Sequence, residues 1–364
     1  MTTEMSSPVS PQPSRRSPSF IPIILLTVIA VAAGAAAMYF IKIYKPEKDS
    51  IEQTRARLMH MTGMDRPVKN KLAATFADED ADLVADPPKD ASQLVDPPKL
   101  VFCFVASEEP SEYATQWKPF CDHLSKMTGK PVEYVEFKNS EEQLRALRDG
   151  KLQVTGLNSG SVPLAVNVCG FVPVARVPTA EPAGTHVEII VPADSPLQSV
   201  DEFRDLKYTL ALVEPNSNSG YKAPMVLLHS DKDRDPERDY KIRSTGDHRV
   251  SIDGIAKHQY DAAAVSADLL AREEAQGKIK KSDYRSIFKS ESFPSAALGY
   301  AHNLKPELAA KVREAINTFD MKGTPLEIEF APATQTTFIP VNYKDNWSLI
   351  RRIDDACGTV HELK

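Results

Sequence analysis

The chain has 364 residues, 42% hydrophobic and 26% charged, and its 44 basic side chains against 50 acidic ones give a formal net charge of −6. That length is about two domains by the usual prior and supplies a sizeable core without disulfides or a structural metal. The acidic balance excludes a generic nucleic-acid binder, which needs a basic excess, and 28 prolines against 15 glycines favour stiff, extended segments over glycine-rich phosphate loops.

Residues 1–19 are rich in Ser, Pro and Thr and cannot bury enough apolar surface to order themselves, so a disordered N-terminus is expected. From Phe20 to Ile41 no side chain is charged. At about 1.5 Å per residue this run crosses a hydrocarbon core of about 30 Å, and a membrane-directing helix is predicted over 20–43. Two readings of it stay open. Arg15 and Arg16 before the run and the small residues Ala35, Ala36 and Ala37 within it fit a cleaved secretory signal; its length and the aromatics Tyr39, Phe40 and Tyr44 fit a retained signal anchor. Residues 44–99 read as a Pro-rich tether, in which LVADPPKD (83–90) is echoed by LVDPPKL (94–100) and the Pro-Pro pairs favour polyproline II. Ile51, Leu58 and Met61 suggest one short helix within 50–64.

Beyond residue 100, strand and helix patterns alternate. LVFCFVA (100–106) is a short apolar strand; Tyr113, Trp117, Phe120, Cys121 and Leu124 recur at helical spacing before a stop at Gly129. PVEYVEF (131–137) is a strand, NSEEQLRALRDG (139–150) a helix capped by Asn139 or Ser140, and LQVTGLN (152–158) a strand followed by a helix. Strands VPVARV, HVEIIVP and LKYTLALV come next, a rhythm that predicts parallel sheets flanked by helices, with enough chain for two. Cys103, Cys121, Cys169 and Cys357 show no C-x-x-C spacing and no neighbouring histidine ladder, so no metal site is expected; they are disulfide partners in an oxidising compartment or small buried hydrophobes.

Two segments carry chemistry. In YTLALVEPNSNSGYKAPMVLLH (208–229) an apolar strand ends in a polar turn and a helix begins. Ser217, Asn218 and Ser219 there offer hydroxyl, amide and backbone donors at the positive end of a helix, which makes an anion cradle or, more plainly, an N-cap. G-x-x-x-x-G-K-S/T is absent, which excludes a nucleotide-hydrolysing P-loop. In STGDHRVSIDGIAKHQYDAAAVSADLLAR (244–272), His248 opens a helix and Asp261 enters a buried strand; each reads as a cleft residue or as an ordinary solvated group. No nucleophile–base pair stands at a credible spacing, and the histidines form no H-E-x-x-H pattern. No catalytic residue, metal or cofactor is expected: the chain reads as a binder without turnover.

Pro215 to Tyr221 (P-N-S-x-S-G-Y), then Gly246, His248, Ser251 and Ile252 (G-x-H-x-x-S-I), then Asp261 to Val265 (D-A-A-A-V), in this order, resemble the phosphate/phosphite/phosphonate substrate-binding proteins of ABC importers. Glu108 to Glu112 and the FPSAALGYAHNLKPELAAKVREAI stretch extend the resemblance over roughly 100–340. It implies an α/β type II periplasmic-binding-protein fold, two lobes about a hinge, with lobe 1 formed by 100–185 plus 291–364 and lobe 2 by 186–290. It further implies that Ser217, Asn218 and Ser219 hold phosphoryl oxygens, that His248 is a further donor, and that Asp261 meets a ligand's amine or a protonated phosphoryl oxygen. Two pocket tyrosines of the family are replaced, one at Lys138-Asn139 and one in the turn Asn158-Ser159-Gly160-Ser161-Val162. Asn158, Ser159 and Ser161 offer polar donors in their place, which shifts the expected ligand toward a small, hydrophilic oxyanion: phosphonate, phosphite or phosphate. The implied protein is extracytoplasmic, delivers its ligand to an ABC permease, and is held at the inner membrane by its N-terminal helix or released from it. A tethered sensor signalling to a partner and an enzyme on the same fold are the alternatives.

Overall fold

The computed structural model describes Met38 and residues 71–105, 114–200, 202–203, 207–228, 236–333 and 335–363. By its internal contacts the chain divides after Leu58, and the fold below is that of the second unit. The segments expected to form a disordered N-terminus, a membrane-directing helix (Met38 apart) and a short helix within 50–64 lie outside the described residues. Among the described residues, no helix is long and apolar enough to cross a membrane.

Two sheets organise the unit. The first is built from β1 (Leu100–Phe104), β2 (Val132–Tyr134), β3 (Val154–Leu157) and β4 (Phe171–Arg176), with helices α1 (Lys118–Thr128), α2 (Ser140–Arg148) and α3 (Val162–Cys169) between them. Local chemistry sets these elements: Asn139 caps α2 by accepting a 2.9 Å bond from the Glu142 amide, and Gly129 closes α1 at φ 72°. The chain then leaves to build a second sheet from β5 (Val187–Pro192), β6 (Thr209–Leu212), β7 (Lys241–Ser244), β8 (Ala262–Ser266) and β9 (Tyr284–Lys289). Helices α4 (Ala223–Leu228), α5 (His248–Ala256) and α6 (Ala267–Ala275) connect its strands. It returns as β10 (Ala297–Ala301), α7 (Pro306–Thr318), the single helical turn Pro325–Glu329, β11 (Ile339–Pro340) and α8 (Ser348–Ala356).

The sheets are mixed, which corrects the expectation of parallel ones. β10 runs antiparallel to β3 and β4, and β5 runs antiparallel to β8 and β9. The physical reason is the double crossing: strands that meet at the crossing pair directly and need no crossover helix to reverse direction. The two crossings are bonded to each other, with the Thr185 amide donating to Phe293 O at 2.8 Å and the Phe293 amide to Thr185 O at 2.7 Å. This is a two-strand hinge between two α/β lobes.

One apolar cluster runs through both lobes, from Leu144, Leu157 and Phe171 to Ile189, Leu210 and Met225, and each lobe adds a cluster of its own. In the first, the Trp117 ring is fully buried and stacks on Phe104 at 4.2 Å and on Phe338 at 6.1 Å, with Phe102 and Phe120 against it. In the second, β8 is all small and buried, so Ile252 and Ile255 of α5 approach it closely. The four cysteines are unpaired, and burial pushes the thiols of Cys103, Cys121 and Cys169 up to about 12; they are inert core residues.

Two segments depart from expectation. Residues 71–99, predicted as tether, are docked on the first lobe. The Ala73 amide donates to Asn167 O at 2.9 Å, Phe76 meets the His302 ring edge-on at 4.8 Å, Val84 and Ala85 are buried, and Val95 pairs with Leu304. The Leu-Val pairs before each Pro-Pro give this strap apolar anchors that a free spacer lacks. Secondly, α8 packs on α4 of the second lobe, Ile353 against Val226, so the last residues do not belong to the first lobe alone.

Replacing Trp117 with Ala removes the largest ring of the first core and is expected to cost about 3–5 kcal/mol. Urea unfolding followed by circular dichroism checks this, and a cost near zero would show that the aromatic cluster does not hold the lobe.

Candidate functional site

The two sheets meet around a cavity of about 70 Å³. Its second-lobe wall begins where β6 ends. Ser217 caps a π-helical turn, Asn218–Lys222, by accepting a 3.0 Å bond from the Gly220 amide, and α4 continues from it. Asn218 is 1% exposed, and among the described residues neither its Oδ1 nor its Nδ2 has a hydrogen-bond partner. Leaving such a group unpaired costs about 1–3 kcal/mol, a cost that a water or a polar guest at the cavity wall would remove. His248 is the first residue of α5, whose cap is Asp247. Its Nε2 lies 3.2 Å from Ser217 Oγ and 3.2 Å from Ser219 Oγ, so one ring holds both hydroxyls.

The structure brings six of the eight sequence candidates to this cavity: Ser217, Asn218, Ser219 and His248 from the second lobe, with Asn158 and Ser159 from the turn after β3. Ser161 is not on the cavity wall. It is buried at the start of α3, where its amide donates to Asn158 Oδ1 at 2.9 Å and shapes the turn, while its own Oγ has no hydrogen-bond partner among the described residues. Asp261 is also elsewhere, exposed before the first residue of β8 with its carboxylate accepting from the Thr209 amide at 2.7 Å. At about 3.3 Å per strand residue it stands roughly 16 Å from Ser266, which does line the cavity. The expectation had the right strand and the wrong end, since open α/β sheets bind ligands beyond the carboxyl ends of their strands.

The carboxylate that does reach the cavity from this strand is Asp268, two residues into the helix that follows it. Ser266 and Thr185 both donate to its Oδ1, Thr185 at 2.7 Å, and Arg272 lies 3.5 Å from its Oδ2. Burial pushes this carboxyl up, yet the Arg272 charge and the two hydroxyls outweigh burial and hold it below the usual carboxylate range. Glu214, at the end of β6, goes the other way: burial raises it, only partly offset by the Ser140 hydroxyl at 3.0 Å and the Lys222 charge. The signal for Asp268 was the Ser-x-Asp at the strand-to-helix junction.

Contacts across the cleft hold the lobes together. Arg272 Nη1 donates to Glu329 Oε1 at 2.7 Å and Arg249 Nη2 to the same oxygen at 3.1 Å; Glu329 belongs to the first lobe and both arginines to the second. On the first-lobe side Gly160 approaches the turn at Asn216–Asn218 so closely that a Cβ there would sit 2.3 Å from Asn216 O and 2.6 Å from the Asn218 amide.

Two α/β lobes on a two-strand hinge, with a polar cavity between them, define a periplasmic-binding-protein-like fold. Residues 102–347 match the family of the periplasmic phosphonate substrate-binding protein of ABC transporters, and the chain belongs to that family. Among solved structures, the binding protein component of a phosphonate ABC transporter from Pseudomonas aeruginosa is similar at 20% identity, covering 68% of this chain and 83% of that one with a TM-score of 0.60. PhnD1 from Prochlorococcus marinus, in complex with methylphosphonate, is similar at 14% identity, covering 73% and 100%, with a TM-score of 0.62. A Xanthomonas citri protein bound to ATP is similar at 20%, covering 72% and 100%, with a TM-score of 0.58. At these identities the likeness is one of fold.

Gly160→Ala is expected to wedge the two turns apart and to alter the exposure of the cleft, since the atoms it would strike are backbone. Small-angle scattering checks it: an unchanged radius of gyration, with unchanged hydrogen exchange at residues 216–220, would show that the rim contact does not hold the lobes.

Proposed function

We propose that the cleft captures a small phosphonate-like or phosphate-like oxyanion outside the cytoplasm and presents it to an ABC permease. The observation that carries this reading is the Asn218 amide, buried and without a partner among the described residues, between two serines held by one histidine. With Nε2 protonated, His248 donates to both hydroxyl oxygens, and each hydroxyl hydrogen is left to point at the guest. Neutral dipoles at a helix start satisfy a tetrahedral oxyanion without a fixed counter-charge. The small cavity fits a compact ligand, of the size of the methylphosphonate held by the Prochlorococcus marinus relative. Asn158 and Ser159 stand where the family resemblance implies an aromatic wall, which favours a hydrophilic guest.

Asp268 takes the role first expected of Asp261. Ionised at neutral pH, it accepts from a ligand's amine or from a protonated phosphoryl oxygen. Membrane retention through residues 20–43, or release after signal cleavage, remains part of the proposal, as does delivery to the permease.

Calorimetry of the full-length chain with phosphate, phosphite, methylphosphonate and 2-aminoethylphosphonate tests the reading, and no saturable binding to any of the four sinks it. Ser217→Ala and Ser219→Ala are each expected to weaken binding by about 1–3 kcal/mol, the loss of a charge-assisted hydrogen bond. Unchanged affinity in both variants would move the site elsewhere. Asp268→Asn should weaken 2-aminoethylphosphonate more than methylphosphonate; equal losses would show that the carboxylate does not read the amine.

A further inference from the structure

Behind the anion turn lies a buried ionic chain that the cavity does not use. Lys222, the last residue of the π-helical turn, is 5% exposed, and its Nζ donates to Asp354 Oδ1 at 2.7 Å and to Gly160 O at 2.9 Å. Gly160 is on the facing turn of the first lobe. Asp354 lies on α8 and is fully buried. Asn167 Nδ2 of α3 lies 2.7 Å from His361 Nδ1 and donates to it, which leaves His361 Nε2 to donate to Asp354 Oδ2 at 3.1 Å. Arg148 of α2 donates to Leu363 O at 3.0 Å, and Trp347, just before α8, donates from Nε1 to Ser159 O at 3.0 Å.

Segment 348–363 therefore grips both lobes: the second through Val226 and Lys222, the first through α2 and α3. Whichever lobe the segment follows when the cleft opens, one set of these bonds breaks. It also lies past residue 347, where the match to the family ends.

We propose that residues 348–363 form a clasp that holds the anion turn Ser217–Lys222 against the first-lobe turn at Gly160, with Lys222 as its pin and Asp354 as its anchor. Both are positioning residues: neither lines the cavity. Bonds made only in the closed arrangement raise the closed fraction, and apparent affinity rises with that fraction. As a statement about affinity this rests on the oxyanion reading of the cleft; as a statement about closure it does not.

The test uses the full-length chain with methylphosphonate and inorganic phosphate as probes, plus hydrogen exchange at residues 217–222 with no probe present. Asp354→Ala is expected to weaken both probes about tenfold or more. Because that variant leaves a buried ammonium uncompensated and can unfold, Lys222→Met with Asp354→Leu is the deciding variant. An apolar pair is tolerated in place of a buried ion pair, so its melting temperature should stay within about 4 °C of the parent. Its affinity should still fall about tenfold and exchange at Gly220 and Lys222 should quicken, because the bond to Gly160 O is gone. A chain ended after Gly358, lacking His361 and Leu363, should shift affinity and exchange in the same direction. Parent-like affinity and exchange in the apolar pair and the shortened chain overturn the clasp. If the parent binds neither probe, the oxyanion reading fails for these ligands and exchange alone decides: quickened exchange sustains the clasp, unchanged exchange overturns it.

Discussion

An anion held by neutral groups needs donors that the surrounding fold has not already consumed, and on the proposed reading the turn at Ser217–Lys222 meets that constraint. Ser217 spends an acceptor lone pair on the Gly220 amide and keeps its hydroxyl hydrogen. Asn218 keeps both ends of its amide out of the described hydrogen-bond network. The full charges nearby are spoken for. Lys222 is turned to Asp354 and Gly160, and Arg272 divides its guanidinium between Glu329 and Asp268. A free lysine in the cavity would bind any anion strongly and release it slowly, whereas dipoles fixed by backbone geometry select by shape and distance.

The same constraint explains the scaffold. Donors on a turn are useful only if the turn is held from both sides, and three of the strands that end at the cavity are followed by a helix that fixes their loop. β6 leads to the π-helical turn, β8 to Ser266 and Asp268, and β3 to Asn158 and Ser159. Gly160 lets the first-lobe turn approach the backbone of the second to a distance that any side chain would forbid. The interlobe bonds of Arg249 and Arg272 to Glu329 and of Lys222 to Gly160 O add to this contact.

What the sequence made legible was local. The capped turn at Ser217, the helix start at His248 and the cap at Asn139 are each set by residues within a few positions of one another, so their types and spacing suffice. Two kinds of information were out of reach. The first is which end of a strand faces the cleft: DAAAVS reads the same whether Asp261 or Ser266 borders it, and only the sheet's orientation places Asp268 at the cavity and Asp261 about 16 Å away. The second is pairing over long separations. Lys222 and Asp354 are 132 positions apart and Asn167 and His361 are 194 apart, and nothing in their local context marks them as partners. The strap at 71–99 failed for a related reason: Pro-Pro dipeptides set its stiffness, but its order comes from Phe76, Val84 and Val95 meeting surfaces on the first lobe.

The carboxyls at the cavity constrain what the proposed ligand carries. Asp268 is held down by Arg272 and two hydroxyls and stays ionised through neutral pH, while burial moves Glu214 upward toward its neutral form. An ionised carboxylate repels a fully deprotonated phosphoryl group that it touches, at a separation where low dielectric strengthens the effect. The cleft therefore has a polarity, with hydroxyl and amide donors at the Ser217–Ser219 end and an acceptor at the Asp268 end. A guest that presents oxygens to the first and a proton-bearing group to the second satisfies both. Bare sulfate, with no proton to offer at neutral pH, satisfies only one. On the proposed reading, selectivity comes from Asp268 refusing the wrong oxyanion as much as from the turn accepting the right one.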